Sequence, residues 1–247
     1  MSSPSLESVR LTLADGAGTT LRVARFDRGR FSARVVVFQP CSTLLRWCEE
    51  SGAEHALVGG FYLRPGGPPL GDLRIAGSAH PTEPFEEPWG ALRACVHADN
   101  GTVSLASRSA LPAEPAGDLL QAGPMLVTAG TTLIHPDEDR EGFSAGSRQF
   151  DSDITIGRYP RAALGLSDGE LIAVVCEGRA DDEAGLTMAE LATAMSGLGA
   201  AAAINLDGGG STSLVAGGSL LNTPREEHGI ELRGGREIAT ALEFVER

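Results

Sequence analysis

The chain lacks the features expected of a zinc protein, a membrane protein or a secreted protein. Its 247 residues include four cysteines, none in a CxxC pair, so a tetrahedral zinc site is not expected. No segment approaches the roughly 20 apolar residues needed to cross a bilayer, and the N-terminus lacks the charged-then-apolar pattern of a signal peptide. These absences favour a reduced, cytoplasmic protein without a membrane partner.

Basic residues are also in short supply. The chain has 33 Asp and Glu against 20 Lys and Arg, which gives a formal net charge of −13. Such a field disfavours nucleic acids and anionic membranes as partners. It also repels a phosphate-bearing substrate at long range, so a site for one must be locally basic. The apolar content is ordinary for a soluble protein, and the length allows one large domain or two small ones. We expect a single domain over residues 1–247, in which residues 1–50 could form an N-terminal strand extension.

Several catalytic motifs are missing or misplaced. No Walker lysine follows the glycines at 208–210, which excludes a P-loop. Gly142–Gly146 reads GFSAG, but a charged run precedes it where a nucleophile elbow needs a buried strand. This motif lies in the polar segment Pro136–Asp153, which is predicted to be a long surface loop, either a lid or disordered. The five histidines show no ligand spacing, and His228 attracts interest only because it follows the glycine run.

The first half of the chain reads as short strands separated by turns. Apolar and β-branched runs predict strands at Leu11–Leu13, Leu21–Phe26, Arg34–Phe38 and Ala56–Tyr62. A short helix is predicted over Ser42–Ser51, with Leu44, Leu45 and Cys48 on one face.

The last third is more regularly patterned. Leu171–Cys176 predicts a buried strand, Thr187–Glu190 is a capping box that starts a helix, and Ala202–Leu206 predicts a further strand. The expected fold is α+β: a mixed, mostly antiparallel sheet with packed helices, including one right-handed strand–helix–strand unit near the C-terminus. This unit would place Glu177 and Asp207 at the C-terminal ends of two strands, where open sheets bind ligands.

The run Ala203–Ser213 is the most informative stretch. An apolar strand ends at Asp207, and three glycines and a hydroxyl cluster follow. Glycines allow close approach of the backbone to a ligand, and successive amides can form an anion-binding nest. The alternative is a tight turn between two strands, in which the hydroxyls satisfy backbone groups.

Two arginines beside glycine suit phosphate recognition. Arg161 opens an apolar run that leads to Gly165, and Arg179 follows Glu177 and Gly178. A guanidinium can bind phosphate with two parallel hydrogen bonds. The alternative for both residues is a surface or structural salt bridge.

Taken together, these segments resemble the phosphodiester glycosidase family from about Leu57 to Val245. The similar segments are Gly59–Tyr62, Leu70–Asp72, Ala122–Val127, Pro160–Gly165, Glu177–Arg179, Gly185–Ala192, Asn205–Ser211, Asn222–Pro224 and Arg236–Ala239. The Asn205–Ser211 segment is the strongest single match. The chain departs from the family pattern at three positions: Val58 replaces an asparagine, Ala162 a threonine and Glu177 an aspartate.

The resemblance implies hydrolysis of the glycosidic bond in a sugar-1-phosphodiester, with a phosphorylated sugar or glycan as the partner. No cofactor would be required, although a bound divalent cation stays open. Arg161 and Arg179 would neutralise the phosphate, while Asp207 or Glu177 would activate water or stabilise the oxocarbenium-like centre. The remaining residues implied to bind substrate or phosphate are Gly59, Gly60, Asn205, Gly208, Gly209, Gly210, Ser211, Thr212 and Asn222.

Two other functions remain open from the sequence. The first is a non-catalytic protein that binds phosphorylated glycans, which Val58 and Ala162 favour because each replaces a polar side chain. The second is a metal-dependent phosphodiesterase that cleaves the P–O bond.

Overall fold

The computed structural model describes residues 3–135, 139–142 and 157–247, and these fold into three β-sheets with three α-helices. The GFSAG motif beyond Gly142 lies outside the described residues, as does most of the predicted Pro136–Asp153 loop. In the described residues no helix is both long enough and apolar enough to span a membrane.

The largest sheet has seven strands and supports the glycine run. In spatial order its strands are β1 (Ser5–Thr12), β2 (Gly18–Asp27), β13 (Glu170–Cys176), β12 (Arg161–Leu166), β14 (Ala202–Asn205), β10 (Met125–Thr128) and β11 (Thr131–Thr132). β12 and β13 are buried almost throughout, in keeping with their continuous apolar sequences.

The other two sheets have five strands each. The second contains β16 (Ser219–Leu220), β15 (Leu214–Ala216), β4 (Ala56–Val58), β17 (Ile238–Glu246) and β3 (Phe31–Ser42). The third contains β6 (Ser78–Ala79), β5 (Leu73–Ile75), β9 (Asp118–Gln121), β7 (Ala94–Asp99) and β8 (Thr102–Ser107). One hydrophobic cluster draws side chains from all three sheets.

The helices are few and short: α1 (Leu44–Ser51), α2 (Trp89–Leu92) and α3 (Met188–Gly197). The predicted capping box of α3 is confirmed, because the Thr187 side chain accepts from the Glu190 amide and the Glu190 carboxylate accepts from the Thr187 amide. The first helix is confirmed as well, with Leu44 and Cys48 buried on its inner face.

The mostly antiparallel character of the fold is confirmed, since every ladder between the named strands is antiparallel. β13, α3 and β14 follow one another along the chain, but β12 lies between the two strands and pairs with both. They are therefore not neighbours in the sheet, and the right-handed strand–helix–strand unit stays a prediction.

The strand predicted over Ala56–Tyr62 is shorter than expected, because β4 ends at Val58. An added Cβ at Gly59 would stand 2.5 Å from the Thr240 hydroxyl oxygen and 2.8 Å from the Thr240 carbonyl carbon. Gly59 therefore lets the chain pass directly over β17, and the following residues leave the sheet towards the glycine run.

Candidate active site

β12 begins, and β13 and β14 end, at one end of the large sheet, and the candidate polar residues lie there. Arg161 pairs with Cys176, the last residue of β13, and Ala163 pairs with Asn205, the last residue of β14. The amide of Leu206 donates to the Ala162 carbonyl at 2.9 Å and so continues the ladder beyond β14. Arg161, Glu177 and Asp207 consequently lie at the same end of these three strands.

Asp207 is a buried carboxyl held by its neighbours. Its side chain is 6% exposed, its backbone amide donates to the Gly59 carbonyl at 3.0 Å, and its Oδ1 accepts from the Gly208 amide at 2.9 Å. Burial raises the pKa of Asp207 to about 6, although nearby polar and positive groups oppose the shift. The group can therefore change protonation near neutral pH, which suits general acid–base chemistry.

The glycine run is an internally bonded turn as well as a loop. The amide of Gly208 bonds to Asp207, that of Gly209 to the Pro160 carbonyl at 2.8 Å, and that of Ser211 to the Gly208 carbonyl at 3.2 Å. An anion bound to these amides would have to displace those bonds. The side chains around the run are therefore better placed to bind an anion than the expected nest of backbone amides.

Four buried side-chain atoms in this run have no hydrogen-bond partner among the described residues. They are Asn205 Oδ1, Ser211 Oγ, Thr212 Oγ1 and Ser213 Oγ. Each parent residue is at most 1% exposed. Buried polar atoms are normally paired, and a cluster of unpaired ones is typical of a place that receives polar groups from a ligand or from water.

A tyrosine and two arginines that were not among the predicted site residues surround Asp207. Arg236 and Arg64 both act on Asp207 with their positive charge, and Ser211 lies close enough to lower its pKa although its hydroxyl lacks a well-aligned hydrogen bond. The Tyr62 hydroxyl donates to the Glu237 carbonyl at 2.6 Å. Burial and the Asp207 charge raise the pKa of Tyr62 to about 12, so its hydroxyl stays protonated at neutral pH.

Glu226 links the arginines of this region. Its Oε1 accepts from Nε of Arg236 at 2.7 Å and also from Nη2 of the same side chain, while its Oε2 lies 3.8 Å from Nη1 of Arg179. Burial opposes ionisation of Glu226, but the bond to Arg236 and the charges of Arg236, Arg64 and Arg179 lower its pKa overall. The structure therefore brings Arg179 to the arginine cluster around Asp207, through Glu226.

Arg161 shares an aromatic neighbour with Arg179, because the guanidinium carbon of each lies 5.7 Å from the centre of the Tyr159 ring. Arg161 is 1% exposed, and its guanidinium donates from Nε to the Leu186 carbonyl at 2.8 Å and from Nη2 to the Gly157 carbonyl at 3.2 Å. Burial lowers its pKa to about 10, and the acidic groups that oppose this shift are Cys176 and Tyr159. These contacts are those of a side chain that ties segments of the fold together.

Glu177 also has its own partners. It is 4% exposed and accepts from Nε of Arg22 at 3.3 Å and from the Thr223 amide at 3.2 Å, with Nη1 of Arg225 at 3.5 Å. Burial raises its pKa, and the Thr223 and Arg22 contacts counteract that effect. The carboxylate thus joins β2 to the segment after β16.

Several other residues singled out in the sequence bond to the protein's own backbone, lie in its core or face solvent. Asn222 accepts from the Leu214 amide at 3.1 Å and donates to the Thr212 carbonyl at 2.8 Å, so both ends of its amide are paired. The Gly60 amide donates to the Thr240 hydroxyl at 2.9 Å. Val58 and Ala162 are fully buried members of the hydrophobic core, and His228 is exposed.

Metal-binding geometry is not evident in the described ranges. Among those residues no group of three or more His, Cys, Asp or Glu side chains is placed to hold a metal ion. A cavity of about 570 Å³ lies elsewhere, between β1 and α3, with a mainly apolar lining that includes Val9, Leu11 and Ala194. Asp207 and its neighbours do not line that cavity.

Sequence reasoning missed four residues of the cluster, namely Tyr62, Arg64, Glu226 and Arg236. Tyr62 and Arg236 lie within segments that resemble the phosphodiester glycosidases, so a signal was present in the sequence. Glu226 sits in a polar turn with no motif of its own, and the approach of Arg64 to Asp207 depends on how the chain leaves β4.

The model of the phosphodiester glycosidase (NAGPA) family matches residues 51–245. A search among curated protein sequences returned no match.

Solved structures show the same fold at low sequence identity. The zebrafish N-acetylglucosamine-1-phosphodiester alpha-N-acetylglucosaminidase catalytic domain, auto-inhibited by its pro-peptide, aligns with a TM-score of 0.73 and 18% identity over 99% of this chain and 83% of that one. A Synechocystis protein gives 0.67 and 17% over 99% of this chain, which spans 62% of that protein's length. A Burkholderia pseudomallei protein gives 0.68 and 16% over 93% of this chain and 74% of its own.

Proposed function

The chain belongs to the phosphodiester glycosidase family, and on that basis we propose that it hydrolyses the glycosidic bond of a sugar-1-phosphodiester. The products would be the free sugar and a phosphate monoester. The N-acetylglucosamine-1-phosphodiester named for the zebrafish structure is the first substrate to test.

The observation that carries this proposal is the buried Asp207 carboxyl beside a cluster of arginines. A chain of net charge −13 nevertheless directs Arg236, Arg64 and Arg179 towards one small region. Such a locally basic site in an acidic protein suits an anionic substrate. The side-chain oxygens of Asn205, Thr212 and Ser213, which have no partner among the described residues, could accept hydrogen bonds from the hydroxyl groups of a sugar.

The chemistry follows from the leaving group. A phosphate monoester is a weak base, so cleavage of the bond between the anomeric carbon and the phosphate oxygen needs little general-acid help. The electron pair leaves with the phosphate, where arginines would stabilise the developing charge. The ionised Asp207 would stabilise the positive anomeric centre or accept a proton from the water that attacks it. No cofactor is required for these steps.

The proposal does not treat the other three predicted catalytic residues alike. Arg179 stays a candidate for phosphate binding through its place beside Glu226. Arg161 and Glu177 remain candidates from the sequence, but their existing bonds suit support of the fold better than contact with substrate.

Hydrolysis in ¹⁸O-labelled water, followed by phosphorus NMR and mass spectrometry, tests the reaction. We expect an N-acetylglucosamine-1-phosphodiester to give a phosphate monoester without label and free sugar with label, and we expect Asp207→Asn to abolish both. Label in the phosphate, or release of sugar-1-phosphate, would indicate P–O cleavage. Activity lost with a chelator and restored by a divalent ion would favour the metal-dependent phosphodiesterase, and binding without turnover would favour the phosphoglycan-binding protein.

A further inference from the structure

The third glycine of the run makes room for an arginine. A Cβ added to Gly210 would stand 2.7 Å from Nη2 and 2.9 Å from Cζ of Arg236. Gly209 has a positive φ, whereas Gly210 does not, so the backbone at Gly210 would accept an ordinary residue. The need for glycine at this position is therefore space for the Arg236 guanidinium.

Glu226 holds the same guanidinium from another direction. Nε and Nη2 of Arg236 both donate to Oε1 of Glu226, and the Glu226 backbone amide donates to the Ile230 carbonyl at 2.8 Å. The backbone that carries Glu226 is therefore held within its own loop. A guanidinium has five N–H donors, so Arg236 retains donors beyond those that Glu226 uses.

The held guanidinium faces the reaction centre. Its positive charge acts on both Asp207 and Tyr62, while its side chain remains 16% exposed. All 20 basic residues of the chain are arginines. A planar fork recognises phosphate oxygens in pairs, whereas a lysine would offer only a point charge.

We propose that Arg236, seated on Gly210 and oriented by Glu226, recognises the phosphate group of the substrate, and that Glu226 is a positioning residue. This inference rests on the proposed function in so far as the substrate carries a phosphodiester. It assigns the main phosphate contact to Arg236, which leaves Arg161 as a support of the fold.

Binding of inorganic phosphate, measured by calorimetry, tests the inference without turnover. We expect wild-type protein to bind phosphate and Arg236→Lys to lose at least about tenfold in affinity, because the lysine keeps the charge but lacks the fork. Gly210→Ala and Glu226→Gln, which disturb the guanidinium from different sides, should each weaken binding severalfold. Glu231→Gln is the matched control, because Glu231 is an exposed partner of Arg225 in the same loop and should leave affinity unchanged.

A second readout distinguishes positioning from mere support of the fold. The charge of Arg236 lowers the pKa of Asp207, so Arg236→Gln should move the pH dependence of turnover to higher pH. Gly210→Ala should retain the wild-type unfolding temperature, because the clash meets the far end of a flexible side chain. If Gly210→Ala and Glu226→Gln both lose phosphate affinity while their unfolding temperatures stay normal, the positioning role of Glu226 is supported.

The outcomes separate this inference from the proposed reaction. Unchanged phosphate affinity in Arg236→Lys, or no phosphate binding by wild-type protein, would overturn the inference even if glycosidic hydrolysis occurs. Phosphate binding that depends on Arg236, with no hydrolysis of the phosphodiester, would support the inference while the proposed reaction fails.

Discussion

Asp207 combines two properties that conflict at the scale of a single residue. Its carboxyl lies next to arginines and hydroxyls that can bind an anionic sugar derivative, yet burial opposes its ionisation. A group in this position stores unfavourable free energy at neutral pH, which is the usual cost of a poised catalytic group. That free energy can be measured as a dependence of stability on pH.

We expect Asp207→Asn to stabilise the protein at neutral pH while it removes turnover. The pKa of Asp207 is about 6 in the folded protein against its ordinary value of 3.8, so the folded state holds the proton more tightly. The unfolding free energy of wild-type protein therefore falls as pH rises from about 4 to about 6. The variant escapes this loss and should be more stable above pH 6 by up to about 3 kcal/mol.

Denaturant unfolding of both proteins at pH 4 and pH 7.5 measures the difference. The two stabilities should converge at pH 4, because the wild-type carboxyl is then protonated in the folded state. Asp181→Asn, the same substitution at an exposed position, is the control for the chemical change itself. Equal stabilities at pH 7.5 would contradict the account of Asp207 as a buried, poised carboxyl.

At the scale of elements, the glycine run is held between two strands. β14 precedes the run and is fixed by the bonds of Asn205 and Leu206 to neighbouring strands. β15 follows the run and begins at Leu214. Asn222, which follows β16, bonds to the backbone on either side of Ser213. This clamp keeps the hydroxyl-bearing residues 211–213 in place.

We expect Asn222→Ala to reduce both stability and turnover. It leaves the Leu214 amide and the Thr212 carbonyl without their partner in a buried place, at a cost of about 1–3 kcal/mol. Thr187→Ala is the control, because loss of the α3 capping box costs about 1 kcal/mol away from the glycine run. Thermal unfolding and kcat of both variants give the comparison, and normal turnover in Asn222→Ala would show that the clamp does not position the site.

At the scale of the whole molecule, the N-terminal strands take part in the two sheets that meet at the site. β2 pairs with β13 and β3 pairs with β17, although both strands precede the family match at residues 51–245. Arg22 on β2 also reaches Glu177. The single domain over residues 1–247 stays a prediction, and these pairings agree with it.

Replacement of Glu177 separates support of the fold from catalysis. We expect Glu177→Ala to lower the unfolding free energy by about 1–3 kcal/mol, because the Thr223 amide, Arg22 and Arg225 lose their acceptor in a buried place. Turnover should fall much less than in Asp207→Asn. Arg22→Gln alone and the double variant complete a cycle, in which a shared effect on stability indicates one network. Abolished turnover at normal stability would instead make Glu177 the second carboxylate of the reaction.

Local patterns were sufficient to predict many elements and the family. A continuous apolar run predicted β13, apolar residues on one helix face predicted α1, and the Thr187–Glu190 spacing predicted the start of α3, because these signals act within a few residues. The site residues predicted as one group proved less uniform. Asp207 and Arg179 lie in or beside the arginine cluster, whereas Arg161, Glu177 and Asn222 are bonded mainly to the protein's own backbone and side chains.

The sequence by itself determined the strand-rich character, the capping box and membership of the phosphodiester glycosidases. The first two depend on residues close together in the chain, and the third depends on short segments that follow one another in a fixed order. Only the tertiary structure decided that Arg236, Arg64, Tyr62 and Glu226 gather around Asp207. Tyr62 and Arg64 follow β4, Glu226 and Arg236 lie between β16 and β17, and Asp207 follows β14, so the distances between their charged groups depend on how two sheets pack. That packing, together with burial, determines that the pKa of Asp207 lies near neutral pH and that Arg236 faces this carboxyl.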